Sequence, residues 1–353
     1  MRLLDAYAQR HANLTRKVLT RAITFRAKRL IVVLTPGWEM RTGGVLSISR
    51  IYEESAALRH LHRARVVLCN TPGDPLHLKY NWFENRNYML DLEAVLKSCR
   101  SLDYLLVHIP IFQVNQVVDW LTRNSPVLLQ NIREVHFNIM LQNIDLMPGK
   151  NVAGLKRFGT VTCTTAQEAY TNLTTREAMG VPLHRLWCCF GPEQYHRALY
   201  QEKEPLLIVS PDVHPFKERV LLHIAQALPD LRIQVIQDMS YEDYKKLTVR
   251  AKWSLTFGEG FDGYFVETVF SGGVSFAVFN DRFFTREFAK LETVYPSWEV
   301  LMDRMVEDLR RLDEPLGYNR CWREAYDLLT PLISTDRFRE NLRMFYRREY
   351  TFP

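Results

Sequence analysis

No run of about 18 apolar residues occurs in this chain of 353 residues, so no transmembrane helix is expected. The basic N-terminus has neither an apolar core nor a small-residue cleavage site, so it does not read as a secretory signal. The six cysteines are Cys69, Cys99, Cys163, Cys188, Cys189 and Cys321. None forms a Cys-x-x-Cys pair and no histidine cluster has zinc spacing, so a metal site is not expected. Adjacent Cys188 and Cys189 would point to opposite faces of a strand, and all six suit small buried hydrophobes in a reducing cytosol. No Gly-x-Gly-x-x-Gly follows the first strand of either half, which disfavours a dehydrogenase. Low-complexity segments, short-period repeats and Asp-x-Asp motifs are also missing.

What is there suits a soluble globular protein, at 47% hydrophobic and 24% charged residues. The length suggests two domains, each able to bury its own core. The net charge of +6 is unevenly placed. Residues 2–29 carry Arg2, Arg10, Arg16, Lys17, Arg21, Arg26, Lys28 and Arg29 against one acid, Asp5. Leu4, Tyr7, Leu14, Val18 and Phe25 fall near helical spacing on one side. Such a basic amphipathic helix suits an anionic membrane surface, and it equally suits a solvated helix packed on its own domain. No recognised nucleic-acid motif accompanies the charge, so nucleic acid is not an expected partner.

Apolar strands and amphipathic helices alternate along the chain. Strands are expected at Arg29–Thr35, Arg65–Cys69, Tyr104–His108, Val135–Leu141 and Val161–Thr165. Helices are expected at Leu46–His60, Leu90–Cys99, Phe112–Arg123 and Ala166–Met179. The pattern restarts after the polar stretch Gln201–Pro205, which reads as a linker, so that two halves join near residues 192–204. New strands follow at Leu206–Ser210, Leu231–Ile236 and Trp253–Phe257. The fold class expected is α/β, with two tandem Rossmann-like domains and a cleft between their carboxyl edges. Their bounds are 1–192, with the basic helix, and 205–335; a basic helix at 336–353 would pack back on the first domain.

Residues 258–280 hold the most specific pattern: a loop, a helix, a Gly-Gly stop and a strand. Glu259 and Glu267 sit eight apart around the Gly-broken loop. Gly260 and Gly263 let the backbone approach a ligand without a Cβ in the way. The helix from Tyr264 would point its N-terminus at phosphate oxygens. Glu267 could accept hydrogen bonds from a vicinal diol, and Glu259 could reach sugar hydroxyls. Spacing alone fits a second pair of roles just as well, with Glu267 complementing the helix dipole and Glu259 solvated on its loop.

Glu259-Gly-Phe-Asp-Gly-Tyr-Phe-Val-Glu267, followed by Ser271-Gly272-Gly273-Val274, resembles the Glu-x7-Glu signature of retaining GT-B glycosyltransferases of the GT4 type. Cys163-Thr-Thr-Ala, Met179-Gly-Val-Pro182 and Leu186–Phe190 resemble a further segment of that family, and Thr42-Gly43-Gly44 resembles its Gly-Gly loop. Asp262 stands where the family has glycine. Lys217, in Ser210-Pro-Asp-Val-His-Pro-Phe-Lys217, falls where the family has its diphosphate-binding lysine, and the accompanying arginine is absent.

The resemblance implies a nucleotide-diphosphate sugar donor, bound by Gly43, Gly44, Gly260, Phe261, Asp262, Gly263, Tyr264 and Glu267. It implies that Glu259, Lys217 and a histidine act on the transferred sugar and its leaving group. His108 and His136 both match that histidine, and Asn138 is a nearby candidate for sugar hydroxyls. No cofactor or metal is implied. The expected activity moves a sugar, with retained configuration, to a glycan or lipid-linked acceptor in bacterial surface polysaccharide synthesis. The expected location is cytoplasmic, peripheral on the inner membrane face. A nucleotide-sugar or glycan-binding protein of the same fold and a GT-B epimerase are the rival expectations.

Overall fold

The computed structural model describes residues 2–37, 43–77, 87–99, 101–147, 149–187 and 190–353, with residues 2–9 described by backbone only. Thr42, Cys188 and Cys189 lie outside the described residues. The chain divides into two compact units. The first holds residues 1–167, 171–189 and 338–353; the second holds 168–170 and 190–337.

The first unit opens with α1 (Arg2–Thr24), β1 (Arg29–Thr35), α2 (Gly43–Ala57), α3 (Arg59–His62), β2 (Arg65–Asn70), β3 (Met89–Asp91) and α4 (Leu92–Ser98). It continues with β4 (Tyr104–Pro110), α5 (Val114–Leu128), β5 (Val135–Leu141), α6 (Val152–Lys156), β6 (Thr160–Thr165), α7 (Leu173–Met179) and β7 (Leu183–Arg185). Its sheet has the order β3-β2-β1-β4-β5-β6-β7, and every pairing is parallel. Helices cover both faces of such a sheet, so strands read as continuous apolar runs. All seven residues of β4 are buried. The expected α/β architecture is present; the sequence reading misses the short edge strands β3 and β7.

Polar side chains interrupt this core in one connected row. His108 on β4 pairs with Asn138 on β5, and Asn138 pairs with Thr162 on β6. Tyr104 Oη is 3.0 Å from His136 Nδ1, and His136 Nε2 is 2.8 Å from Thr162 Oγ1. Thr162 donates to Asn138 Oδ1 at 3.1 Å. Asn138 Nδ2 contacts both His108 Nδ1 (3.0 Å) and Thr164 Oγ1 (2.9 Å). His108 Nε2 reaches Tyr346 Oη at 3.4 Å, and Tyr346 donates to Ser55 at 2.6 Å. One assignment satisfies every link: both rings are neutral, with the proton on Nε2. Burial holds His108 down to about 3, and His136 and His184 to about 4.

The second unit contains β8 (Glu204–Val209), α8 (Lys217–Ala227), β9 (Arg232–Val235), α9 (Tyr241–Arg250), β10 (Ala251–Leu255), α10 (Gly263–Phe270), β11 (Val274–Val278), β12 (Val294–Tyr295), α11 (Trp298–Leu312) and α12 (Pro315–Leu329). Its sheet is parallel, in the order β12-β11-β10-β8-β9. The stretch read as a linker is built structure. Lys203 is buried, and its ammonium donates to the carbonyls of Thr248, Val249 and Ala251. Those three bonds offset the cost of removing the charge from water.

A last helix, α13 (Thr335–Tyr346), returns the chain to the first unit. Phe338 and Leu342 join the core beside Val33, Ile48 and Met140. Phe345 lies against the rings of His108, His136 and His184, with centroids 5.5–6.0 Å away. Arg339 makes a bidentate pair with Glu54, both contacts at 2.8 Å. Phe352 then exchanges two backbone hydrogen bonds with Leu183, which covers the edge strand β7.

The buried histidines set a pH dependence. Their folded-state pKa values lie below the unfolded value of 6.5. Unfolded chains therefore take up protons first as pH falls, and stability drops from about pH 6.5 towards pH 4, on the order of 2 kcal/mol per ring. Hydrogen exchange across that range should show β4, β5 and residues 338–353 losing protection together. Protection that stays flat down to pH 4 would remove this account of the histidine row.

Candidate functional site at the carboxyl edge of the second sheet

The second sheet reverses its winding between β8 and β10, and ligands of open α/β sheets bind outside the carboxyl ends of strands at such a point. Two loops meet there: 210–216 after β8, and 256–262 after β10. Ser210 ties them, since its Oγ accepts the Phe257 N–H at 2.9 Å and its N–H donates to Leu255 O at 3.0 Å. Lys217 closes the first loop by donating to the carbonyls of Ser210 (2.7 Å) and Asp212 (2.9 Å). Desolvation lowers its pKa. An ammonium has three donors, so one remains beyond these two bonds.

The small residues of the second loop serve packing within the protein. Gly260 has φ +82°, and a Cβ there would stand 2.7 Å from Phe284 Cε2 and 3.0 Å from Val278 O. At Gly263 a Cβ would stand 2.9 Å from Glu267 Oε1, and at Gly258 it would stand 2.8 Å from Asp212 Cγ. Phe261 is buried against Phe265, Phe284 and Phe288. Internal atoms already fill the space that Gly258, Gly260 and Gly263 leave by lacking a Cβ.

Asp262 caps α10. Its Oδ1 accepts the Phe265 N–H at 3.0 Å, and its Oδ2 accepts from Thr256 Oγ1 at 2.5 Å. The anion at this helix N-terminus is thus the protein's own carboxylate, where the sequence suggested a phosphate. Desolvation raises its pKa to about 7, with a further push from Asp212.

Glu267 lies one turn into α10 and is only 7% exposed. Tyr241 donates to its Oε2 at 3.0 Å, and the Tyr195 and Tyr241 hydroxyls lie 3.1 Å apart. Burial raises Glu267 to about 7, opposed by the hydrogen bonds from Tyr241 and Tyr195. The Tyr244 hydroxyl and Asp212 Oδ2 are buried without a hydrogen-bond partner. Tyr264 is half-buried, 5.7 Å from the Tyr244 ring. Glu259 is half-buried on the loop.

A cavity of about 380 Å³ opens beside these loops. His214, Gly258, Val278, Phe279, Asn280, Asp281 and Trp298 line it. The Trp298 ring stacks on Phe257 at 4.8 Å and lies 4.2 Å from the His214 ring. Sequence reasoning passed over Tyr195, Tyr241, Asn280, Asp281 and Trp298. Their shared signal is position: each group follows or faces the carboxyl end of a strand, which is visible only once β9, β11 and β12 are placed.

The remaining candidates lie in the first unit. Gly43 and Gly44 form the first turn of α2. A Cβ on Gly43 would meet nothing, and Gly44 O accepts from Gln142 and Ser47, both at 2.8 Å. His108 does not end its strand, since β4 runs on to Pro110. His108 and Asn138 are 0% exposed and His136 is 3% exposed, all within the polar row. His108 therefore lies within the core against Phe345 of α13, which corrects the expectation of a histidine at the carboxyl end of its strand. Among the described residues no cluster of metal-ligating side chains occurs.

No family model matches the chain, and no curated protein matches it in sequence. Solved structures do match in fold. Sucrose-phosphate synthase from Thermosynechococcus elongatus aligns at TM-score 0.58 and 10% identity, over 91% of this chain and 99% of that one. Anabaena HepE, solved with UDP-glucose, aligns at 0.57 and 11%, over 90% and 99%. The UDP-forming α,α-trehalose-phosphate synthase of Burkholderia vietnamiensis aligns at 0.54 and 10%, over 92% and 99%. The architecture common to these proteins and this chain is GT-B, with two Rossmann-like domains in tandem.

Glu267 gives the site a measurable signature. Its folded-state pKa is raised, so its contribution to stability is full below the unfolded value near 4.5 and is lost as pH rises through about 7. Glu267→Gln should therefore stabilise the second unit at pH 8 by on the order of 1–2 kcal/mol and change little at pH 5. Urea unfolding at both pH values reads this directly. Equal effects at pH 5 and pH 8 would mean that Glu267 is not held out of water.

Proposed function

We propose that the chain is a glycosyltransferase that takes a sugar from a nucleoside-diphosphate donor held on the second unit. One observation carries the reading: the loop with Glu259, the helix with Glu267 and the helix that Lys217 begins all follow β8 or β10, the two strands between which the second sheet reverses its winding. The GT-B architecture supports it. So does HepE, a protein of the same fold that binds UDP-glucose.

Each residue has a task that its chemistry suits. Negative charge develops on the diphosphate as the glycosidic bond breaks, and the third proton of Lys217 meets it. Glu267 accepts from the ribose diol in place of the tyrosine hydroxyl that now holds Oε2. Glu259 orients hydroxyls of the transferred sugar. Asp262 sets a condition on the donor, because an ionised carboxylate at the start of α10 repels phosphate. Donor affinity should then rise as pH falls through about 7 and Asp262 gains its proton. The scheme requires no metal, and transfer proceeds with retained configuration to a glycan or lipid-linked hydroxyl, in surface polysaccharide synthesis.

The test is a thermal-shift screen of UDP-, GDP- and TDP-sugars followed by calorimetry, since a ligand that binds only the folded state raises its melting temperature. One donor should shift the wild type, and Glu267→Ala should weaken its binding by more than about 1 kcal/mol. Unchanged binding in Glu267→Ala would remove the ribose assignment. Binding without transfer to any acceptor would favour a nucleotide-sugar-binding protein, and product formed with no acceptor would favour an epimerase.

A further inference from the structure

The helix α1 is folded with Leu14 and Val18, and Phe25 just beyond its end, facing away from the protein. It packs on α4, β3 and β2 at the edge of the first sheet. Among its described side chains Arg16, Thr20 and Thr24 are buried, and Leu19 and Ile23 are half-buried. Arg16 donates to Leu76 O at 2.6 Å and to Asn13 at 3.0 Å, and Thr24 donates to Thr20 O at 2.7 Å. Leu14, Val18 and Phe25 are instead 61%, 59% and 67% exposed. At 100° per residue these three fall within an arc of about 40°. Phe25 keeps the register, because its N–H still donates to Arg21 O at 3.0 Å. A helix that serves only to cover its own domain turns the apolar face inward and the charged face outward. Here Leu14, Val18 and Phe25 face outward while Arg16, Thr20 and Thr24 face inward, and among the described residues none buries these three apolar side chains.

The charges around the stripe specify what covers it. Arg10, Lys17, Arg21, Arg26 and Lys28 are exposed beside it, and the Arg26 guanidinium lies 5.2 Å from the Phe25 ring centre. No acid occurs between Asp5 and Glu39. A second copy of the chain would bring the same positive face against this one. A nucleic acid would pair the bases and leave the apolar side chains against phosphate and water. An anionic lipid surface satisfies both sets, with apolar tips entering the headgroup boundary and basic side chains meeting lipid phosphates. We infer that the outer face of α1, built on Leu14, Val18 and Phe25 and flanked by Lys17 and Arg21, attaches the protein reversibly to anionic lipid bilayers.

Vesicle flotation of the full chain tests this, with phosphatidylcholine vesicles that either contain or lack phosphatidylglycerol. Binding should require phosphatidylglycerol and weaken as salt is added. Leu14→Ser, Val18→Ser and Phe25→Ser combined should lower the partition at least about ten-fold, and Lys17→Glu with Arg21→Glu should do the same by removing the attraction. All five side chains are exposed, so melting temperature should hold in both variants, and Phe25→Trp should report insertion by a blue shift on vesicles. No binding of the wild type to phosphatidylglycerol vesicles at low salt would overturn the inference. Binding that the triple variant retains would also overturn it, as would a triple variant that converts a dimer to a monomer, because a second copy would then be the occupant.

Discussion

Two carboxylates held out of water at the start of one helix organise the candidate site. Asp262 closes the N-terminus of α10, and Glu267 lies one turn further along, beneath the hydroxyls of Tyr241 and Tyr195. Burial drives both towards neutrality near pH 7. Much of the local backbone follows from accommodating them. Gly263 is small because Glu267 Oε1 lies where its Cβ would be, and Gly258 is small because Asp212 lies there. The loop after β10 is therefore shaped first by its own acids, and any anionic ligand must come to terms with them. Groups with pKa values moved close to neutrality and gathered at a sheet's carboxyl edge are what a functional site tends to contain.

The first unit uses buried polar groups for the opposite purpose. Its histidines are neutral links in a row of hydrogen bonds that crosses three strands and ends on Tyr346 of α13. Every ring nitrogen in that row has a partner, which is how a polar group is kept in a core at tolerable cost. The row fixes the C-terminal segment to the sheet together with Phe345 and the Arg339–Glu54 pair. Acid thus acts on the two units with opposite sign, weakening the histidine row and relieving the carboxylates.

Long apolar runs made most of the architecture legible in the sequence. Strand β5 is found at Val135–Leu141 as read, because a parallel strand buried on both faces leaves little else its residues could do. Strands of three and two residues, β3 and β12, carry too little pattern to be seen. The placing of Glu259 on the loop after β10 and of Glu267 on the helix that follows was legible from the pattern. The reason for the glycines between them was not, since it depends on Phe284 and on the folded-back Glu267 side chain. His108 was placed at a strand end because Pro110 reads as a break; the strand includes the proline, and α13, far along the chain, covers the ring. The apolar stripe of α1 was also visible, but only the fold reveals that it faces outward. Local periodicity is short-range information, whereas a buried charge or an outward-facing stripe is defined by neighbours distant in sequence.

The central claim is that the crevice between β8 and β10 holds a nucleoside diphosphate. Amide hydrogen exchange with and without UDP, GDP and TDP tests it most directly. One nucleotide should protect residues 209–217 and 256–267 together and leave β4 and β5 unchanged. Protection by none of the three, or protection confined to other segments, would contradict the account.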